Sequence, residues 1–332
     1  MGMLVEGHWT TENAGVVDTR GNFVRRDGQF RNWITSDGSS PFQAEAGRYH
    51  LYVSAACPWA HRTLIFRSLK KLNDIVSLSI VDPFMTDEGW HFSNGAGCVP
   101  DTVNGCDLLR DVYLKADPAT TTRVTVPVLW DKQRQTIVSN ESSEIIRMFG
   151  TAFDTHGAAP GDYYPGALQD DIDRTNDTVY AKVNNGVYRC GFARSQEAYE
   201  MAFDYLFAAL DSLESDLAIR RYLVGGRTTE ADWRLFPTLV RFDAVYHTHF
   251  KCNRNRIVDF PNLSGYLRDL YQTAGVAETF NMDHIKGTIS AATRVLTQPA
   301  SCHAVQTSIS PSHTIVVAST RPLRAASGIR TD

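Results

Sequence analysis

From Arg48 to Leu72 the chain reads RYHLYVSAACPWAHRTLIFRSLKKL, and this stretch decides the fold. RYHLYVS alternates and is aromatic and β-branched, as a strand requires. Ile65, Leu69 and Leu72 then recur at helical spacing, and Pro58 stands where a first helical turn tolerates a proline. The reading is strand, short loop holding Cys57, helix.

Downstream, IVSLSIVDPF from Ile75 reads as a second strand, VPVLWD and TIVSN as a hairpin, and ESSEIIRMFG as a helix. A β-α-β unit followed by a hairpin and a closing helix is the order of a thioredoxin-like α/β domain. The segment from Trp90 to Thr125 is looser, with NGAGCVPDTVNG as a surface loop. After the linker HGAAPGDYYPGA the strands stop. Three helical segments follow, beginning at Asp170, Gln196 and Ala231; in the last, Leu235, Leu239, Phe242 and Tyr246 mark one face, and Thr229 with Asp232 resembles a capping box. The expected organisation is an extension over 1–46 that wraps a domain, a thioredoxin-like domain over 47–155, an all-α domain over 165–286, and a tail over 287–332 without amphipathic order.

Composition narrows the function. Hydrophobic residues make up 43% and charged residues 21% of the 332 residues, with a net charge of -4. That balance gives no reason to expect nucleic acid or a membrane as partner. The amino terminus lacks a basic stretch followed by an apolar run, and the expected location is cytoplasmic. The six cysteines form no C-x-x-C pair and no zinc-type cluster, so no metal is expected.

Cys57 lies where a helix begins, and the unpaired amides and dipole of a helix start favour an anion. A thiol there is the candidate nucleophile. Ala60 stands where a dithiol oxidoreductase carries its resolving cysteine, so a mixed disulfide at Cys57 requires an external thiol, which points to glutathione. RVTVP, Arg123 to Pro127, precedes a strand; a cis proline there turns the Val126 backbone towards the thiol and leaves it free to pair with an extended peptide. Glu141 and Ser142 open the next helix and suit the two ends of an amino acid, the carboxylate of Glu141 for an α-ammonium and Ser142 for a carboxylate. Trp90 and Tyr188 are candidates to stack on or hydrogen-bond an aromatic substrate.

Taken with DPFMTDEGWHF, RVTVPVLWDKQRQTIVSNESSEIIRMF, NNGVYRCGFA and TEADWRLFPTLVRFDAVYHTHFKCN, the opening stretch resembles the glutathionyl-hydroquinone reductases, the Xi class of glutathione transferases. The resemblance spans roughly Phe23 to Lys286. It implies a homodimeric enzyme that reduces S-glutathionyl-hydroquinones with glutathione through a Cys57-glutathione mixed disulfide. It also implies that Trp90, Arg123, Val126, Glu141 and Ser142 hold glutathione, while Tyr188 lies in the aromatic-substrate pocket and assists proton transfer. Thr122 stands where the family carries a glycine. The competing readings are an omega-like thioltransferase or dehydroascorbate reductase, and a non-catalytic binding protein that keeps the transferase fold.

The resemblance stops at the carboxyl end, where the family closes on a stretch resembling NPTGIVPxGP. Reading the codons for Thr288 through Gln306 one base earlier permits that tail, which points to a frameshift just after Gly287; a divergent tail or alternative exon is the competitor. Sequencing the genomic DNA across this codon is expected to show the one-base displacement, and an in-frame sequence there refutes it.

Overall fold

The computed structural model describes residues 2–11, 17–24 and 28–288, so the expectation for the tail beyond Thr288 lies outside the described residues. The chain opens with a hairpin, β1 (Met3–Val5) and β2 (His8–Thr10), and then a short parallel pair, β3 (Ile34–Thr35) and β4 (Phe42–Gln43). The deciding stretch supplies β5 (Tyr49–Val53) and α1 (Pro58–Leu69), followed by β6 (Val76–Ile80). Next come α2 (Leu109–Ala116), β7 (Thr122–Arg123), β8 (Val128–Asp131), β9 (Thr136–Ser139) and α3 (Ser142–Thr151). The main sheet has the order β6-β5-β8-β9, with β5 parallel to β6 and antiparallel to β8. This is the expected α/β architecture.

The helical half begins with α4 (Gln169–Val179), which runs through a π-helical turn (Tyr180–Asn184) into α5 (Gly186–Phe192). Then come α6 (Gln196–Leu217), α7 (Glu230–Arg241), a second π-helical turn (Phe242–Tyr246), α8 (His247–His249) and α9 (Pro261–Tyr271). Residues 282–288 are again helical, and they return to the sheet half: His284 Nε2 lies 2.7 Å from the Ala96 carbonyl, and Thr288 Oγ1 donates to the Pro83 carbonyl at 2.6 Å. None of the described helices is long and apolar enough to cross a membrane.

Several local expectations change in the fold. The alternation read in β5 does not mean one wet face, because all five of its residues are buried between β6 and β8. A strand at the centre of a covered sheet has no solvent side. α1 ends at Leu69, and Leu72 reaches the core from beyond it after Lys71 turns at φ 52°. The segment from Trp90 to Thr125 contains α2, whose short length hid its period. The first residues do more than wrap: β1 pairs with β7, Met3 opposite Arg123 and Leu4 opposite Thr122. The face Leu235, Leu239, Phe242 and Tyr246 is buried, although its last two residues belong to the π-helical turn. At the head of α7 the Thr229 amide donates to Asp232 Oδ2 at 2.7 Å.

α1 is the element that both halves share. α3 packs on it from the sheet half, and α7 from the helical half. Its apolar residues Ile65 and Phe66 are buried, but so are His61 and Arg62. Arg62 Nη2 donates to Asn184 Oδ1 at 2.7 Å and to the Arg234 carbonyl at 3.0 Å, and its guanidinium lies over the Trp59 ring at 4.6 Å. A buried cation is tolerated only with its donors satisfied.

In β5, His50 is buried with Nδ1 2.7 Å from Ser77 Oγ and Nε2 2.9 Å from Ser79 Oγ. Burial pushes the imidazole from its ordinary 6.5 down to about 4, so the ring is neutral in the folded protein. As pH falls through that window the unfolded chain takes up a proton that the native state refuses, and stability falls with it. Denaturant titrations of His50→Gln between pH 6.5 and pH 4 are expected to show a shallower acid loss than the parent, by up to roughly 3 kcal/mol. Parallel curves for the two proteins refute the assignment.

Candidate active site

Cys57 is the N-cap residue of α1, with extended backbone angles (φ -76°, ψ 122°), Pro58 in the first turn, and no side-chain cap hydrogen bond. Its carbonyl accepts from the His61 amide at 3.0 Å, which starts the helix, and its own amide donates to the Ser54 carbonyl at 3.1 Å. The thiol is half-buried and donates to the Val126 carbonyl at 3.7 Å. The Val126–Pro127 peptide bond is cis. The sheet brings these two loops together, since Tyr52 at the end of β5 pairs with Val128 at the start of β8.

Two of the other described cysteines, Cys106 and Cys252, are buried. Burial pushes the Cys106 thiol up to about 11. Cys252 is held well above its ordinary value by a hydrogen bond with Cys190 and by burial. A thiol held neutral is a poor nucleophile.

Glu141 is the N-cap of α3, and its Oε1 accepts from the Ser143 amide at 3.1 Å and the Ser143 hydroxyl at 3.0 Å. Beside it Ser142 is 3% exposed, and its hydroxyl has no hydrogen-bond partner among the described residues. A buried, unpartnered hydroxyl at a helix start is a seat for an anion. The two loops are locked together by Tyr113 of α2, whose hydroxyl donates to the Thr125 carbonyl at 2.9 Å and accepts from Asn140 Nδ2 at 3.1 Å. Nothing in the sequence marked Tyr113, because an aromatic on a short helix reads as core.

Arg123 lies on β7, three residues ahead of Val126, paired with Met3. Trp90 is buried, and its carbonyl accepts from the Leu109 amide where α2 begins. Tyr188 on α5 belongs to an aromatic cluster that reaches Cys57's own helix. Its ring centroid lies 6.3 Å from Trp59, 5.4 Å from Phe250 and 6.1 Å from Tyr246. Phe23, from the amino-terminal segment, stacks on Tyr188 at 5.9 Å and on Phe192 at 5.6 Å. The strap carrying Phe23 is pinned to the turn before α6, where the Arg194 amide donates to the Gly21 carbonyl at 3.0 Å. The Tyr246 and Tyr188 hydroxyls share a hydrogen bond, and burial holds Tyr246 well above its ordinary value, so it stays protonated.

The sequence reading missed a further residue. Arg241, the last residue of α7, is fully buried and donates to the carbonyls of Ala55 and Ala56, at 3.1 Å each. It lies far from Cys57 in sequence, in a helix whose period signalled only a core face.

The comparisons with known proteins agree with this geometry. The family model for the glutathione S-transferase N-terminal domain matches residues 56–152, and that for the C-terminal domain matches residues 196–269. The chain is 55% identical over 293 residues to glutathionyl-hydroquinone reductase YqjG of Escherichia coli (strain K12), covering 86% of this chain and 89% of that one. The glutathione-bound structure of YqjG superposes with a TM-score of 0.81 at 52% identity, covering 89% and 92% of the two chains. The Xi-class transferase of Natrialba magadii gives a TM-score of 0.83 at 53% identity, covering 87% and 89%. The likeness thus extends over most of the chain in both sequence and fold, and the chain belongs to the glutathione S-transferase family, in its Xi-class, glutathionyl-hydroquinone reductase branch.

Proposed function

We propose that the protein reduces S-glutathionyl-hydroquinones to hydroquinones at the expense of glutathione, with Cys57 as nucleophile. The observation that carries this reading is the Cys57 thiol at the head of α1, uncapped, with Trp59 of the same turn facing the Tyr188 cluster. One side of the thiol suits a peptide and the other an aromatic ring.

In the first step the Cys57 thiolate attacks the sulfur of the aryl thioether. A Cys57-glutathione disulfide forms and the carbon-sulfur bond breaks. Its electron pair goes to the ring carbon, which takes a proton and leaves as the hydroquinone. In the second step a glutathione thiolate attacks the glutathionyl sulfur of that disulfide, releasing oxidised glutathione and the Cys57 thiolate. Ala60 gives no internal thiol for this, so the external one is required.

Tyr188 is the proton donor to the ring. Tyr246 remains protonated and hydrogen-bonded to it, which favours Tyr246 as donor and leaves the Tyr188 proton for substrate. For glutathione, Val126 offers its backbone to the cysteinyl unit, and Ser142 and Glu141 take the carboxylate and ammonium of the γ-glutamyl end. Arg123 and Trp90 complete the site from its flanks. The unpartnered, buried Ser142 hydroxyl supports that assignment, since a ligand carboxylate would satisfy it. The enzyme acts as a homodimer in the cytoplasm, and light scattering at twice the chain mass is the check on the dimer.

Turnover of a glutathionyl-hydroquinone with excess glutathione is expected in the parent and absent in Cys57→Ala. Tyr188→Phe is expected to lose roughly a hundredfold in that turnover and far less in exchange with a simple mixed disulfide, because only the former needs a proton delivered to carbon. Equal losses on both substrates remove Tyr188 from the mechanism. Faster reduction of dehydroascorbate than of the hydroquinone conjugate overturns the substrate assignment.

A further inference from the structure

Among the described residues Arg241 makes four hydrogen-bonding contacts, three of which reach α1 or the loop before it. Nε donates to the Ala56 carbonyl and Nη2 to the Ala55 carbonyl, both at 3.1 Å, so the guanidinium grips the two residues that precede Cys57. Nη1 donates to the Pro237 carbonyl at 3.0 Å, within α7 itself. The same nitrogen lies 2.8 Å from His61 Nδ1, one turn into α1.

The histidine is neutral. Burial and the adjacent guanidinium hold its imidazole well below its ordinary range. Arg241 has only donors, so Nδ1 accepts and the ring proton sits on Nε2, where it donates to Thr279 Oγ1 at 2.8 Å. Thr279 in turn donates to the Val276 carbonyl at 2.6 Å. No member of this relay is an anion that could neutralise the arginine, and the guanidinium itself does not deprotonate.

Arg241 has no carboxylate partner among the described residues. Other buried or half-buried arginines do have one, Arg48 in Asp131 and Arg147 in Glu230 and Asp173, whereas buried Arg62 donates to Asn184 and the Arg234 carbonyl. The ionisable groups that face Arg241 are His61 on α1, Tyr188 on α5, Tyr246 in the π-helical turn, and Cys57. A buried cation is costly unless an anion compensates it. His61 is neutral, Tyr246 stays protonated and Tyr188 acts in the proposed reaction through its neutral, proton-bearing form, which leaves Cys57 as the group whose reactive form is an anion.

We propose that Arg241 is the positioning residue of this active site: it fixes the Ala55–Ala56 backbone from the helical half and supplies the fixed positive charge that the Cys57 thiolate meets. This rests on Cys57 being the nucleophile. A planar guanidinium suits the task, since one fork spans two successive carbonyls while its charge stays in place. The helical half thereby completes the nucleophile as well as the aromatic pocket.

The test is the rate at which iodoacetamide alkylates Cys57 at pH 7 and at pH 9.5, in the parent, Arg241→Gln and Arg241→Lys, with peptide mapping to identify the modified thiol. At pH 7 the glutamine variant is expected to react at least about tenfold more slowly than the parent, and the lysine variant about threefold, because a point charge replaces the fork. Both deficits are expected to close at pH 9.5, where an ordinary thiol is ionised unaided. A deficit that persists at pH 9.5 means a displaced loop and overturns the charge role, and a glutamine variant that reacts at the parent rate overturns the proposal altogether. If the glutamine variant does not fold, the lysine variant decides: a partial deficit that closes at pH 9.5 supports the proposal, and parental rates at both pH values sink it. A parent in which Cys57 reacts no faster than the other cysteines at pH 7 refutes the nucleophile assignment itself, which separates that failure from one confined to Arg241.

Discussion

The burial of α1 from Ala60 to Phe66 is the constraint from which the rest follows. A helix with one wet face needs only an apolar stripe, but α1 is enclosed by α3 and the sheet half on one flank and by α7 on the other. Its polar residues therefore had to find partners inside the protein. His61 finds Arg241 and Thr279, Arg62 finds Asn184 and the Arg234 carbonyl, and Ser68 donates to the Gly275 carbonyl at 2.7 Å. At the end of the helix the buried Lys70 donates to Asp154 Oδ1 at 2.8 Å and to the Gly161 carbonyl at 2.9 Å, which fixes the chain leading to the helical half. Each contact satisfies a buried donor, and losing one partner leaves the other uncompensated at a cost of about 3–5 kcal/mol for a charged pair.

The same enclosure shapes the chemistry. A helix start supplies unpaired amides, and Pro58 in the first turn removes an N–H that would have had no partner within the helix. Cys57 is left between the Val126 carbonyl on the sheet side and the aromatic residues on the helical side. α3 repeats the arrangement with Glu141 and Ser142, and Tyr113 ties the two loops through Thr125 and Asn140. A fully buried hydroxyl with good partners is a rigid link, because breaking it strands polar groups away from water. Positions along the two loops are thus set by hydrogen bonds outside the site.

A second link joins α3 to the helical half. Arg147 donates to Glu230 Oε1 at 2.7 Å and also meets Asp173, while Asn176 Nδ2 donates to the same Glu230 oxygen at 2.7 Å. Glu230 opens α7, the helix that ends at Arg241. One end of α7 is therefore tied to the helix that follows the Glu141–Ser142 turn, and the other to the loop before Cys57. The amino-terminal segment adds Phe23 to the aromatic cluster and β1 to the strand bearing Arg123, so residues far from the two main halves finish both sides of the site.

How much of this was legible depended on whether the signal was local. The strand-loop-helix order around Cys57, the hairpin and the closing helix were readable because apolar period, Pro58 and the cap at Glu141 all act within a few residues of one another. Val126 was readable as a backbone group because the proline after it constrains its own neighbour. α2 was not, since eight residues give too little period, nor was the enclosure of β5 and of α1 from Ala60 to Phe66, which depends on what packs against them. Phe23, Tyr113, Arg241 and the pairing of Met3 with Arg123 were also invisible. Each acts on a partner 12 to 186 residues away only after the sheet has closed and the helical half has packed, and chain separation carries no trace of that distance in space. The sequence by itself determined which thiol stands at a helix start and which second helix start lies beside it; only the tertiary structure decided which guanidinium and which rings gather around that loop, because those come from side chains brought together by packing rather than by order along the chain.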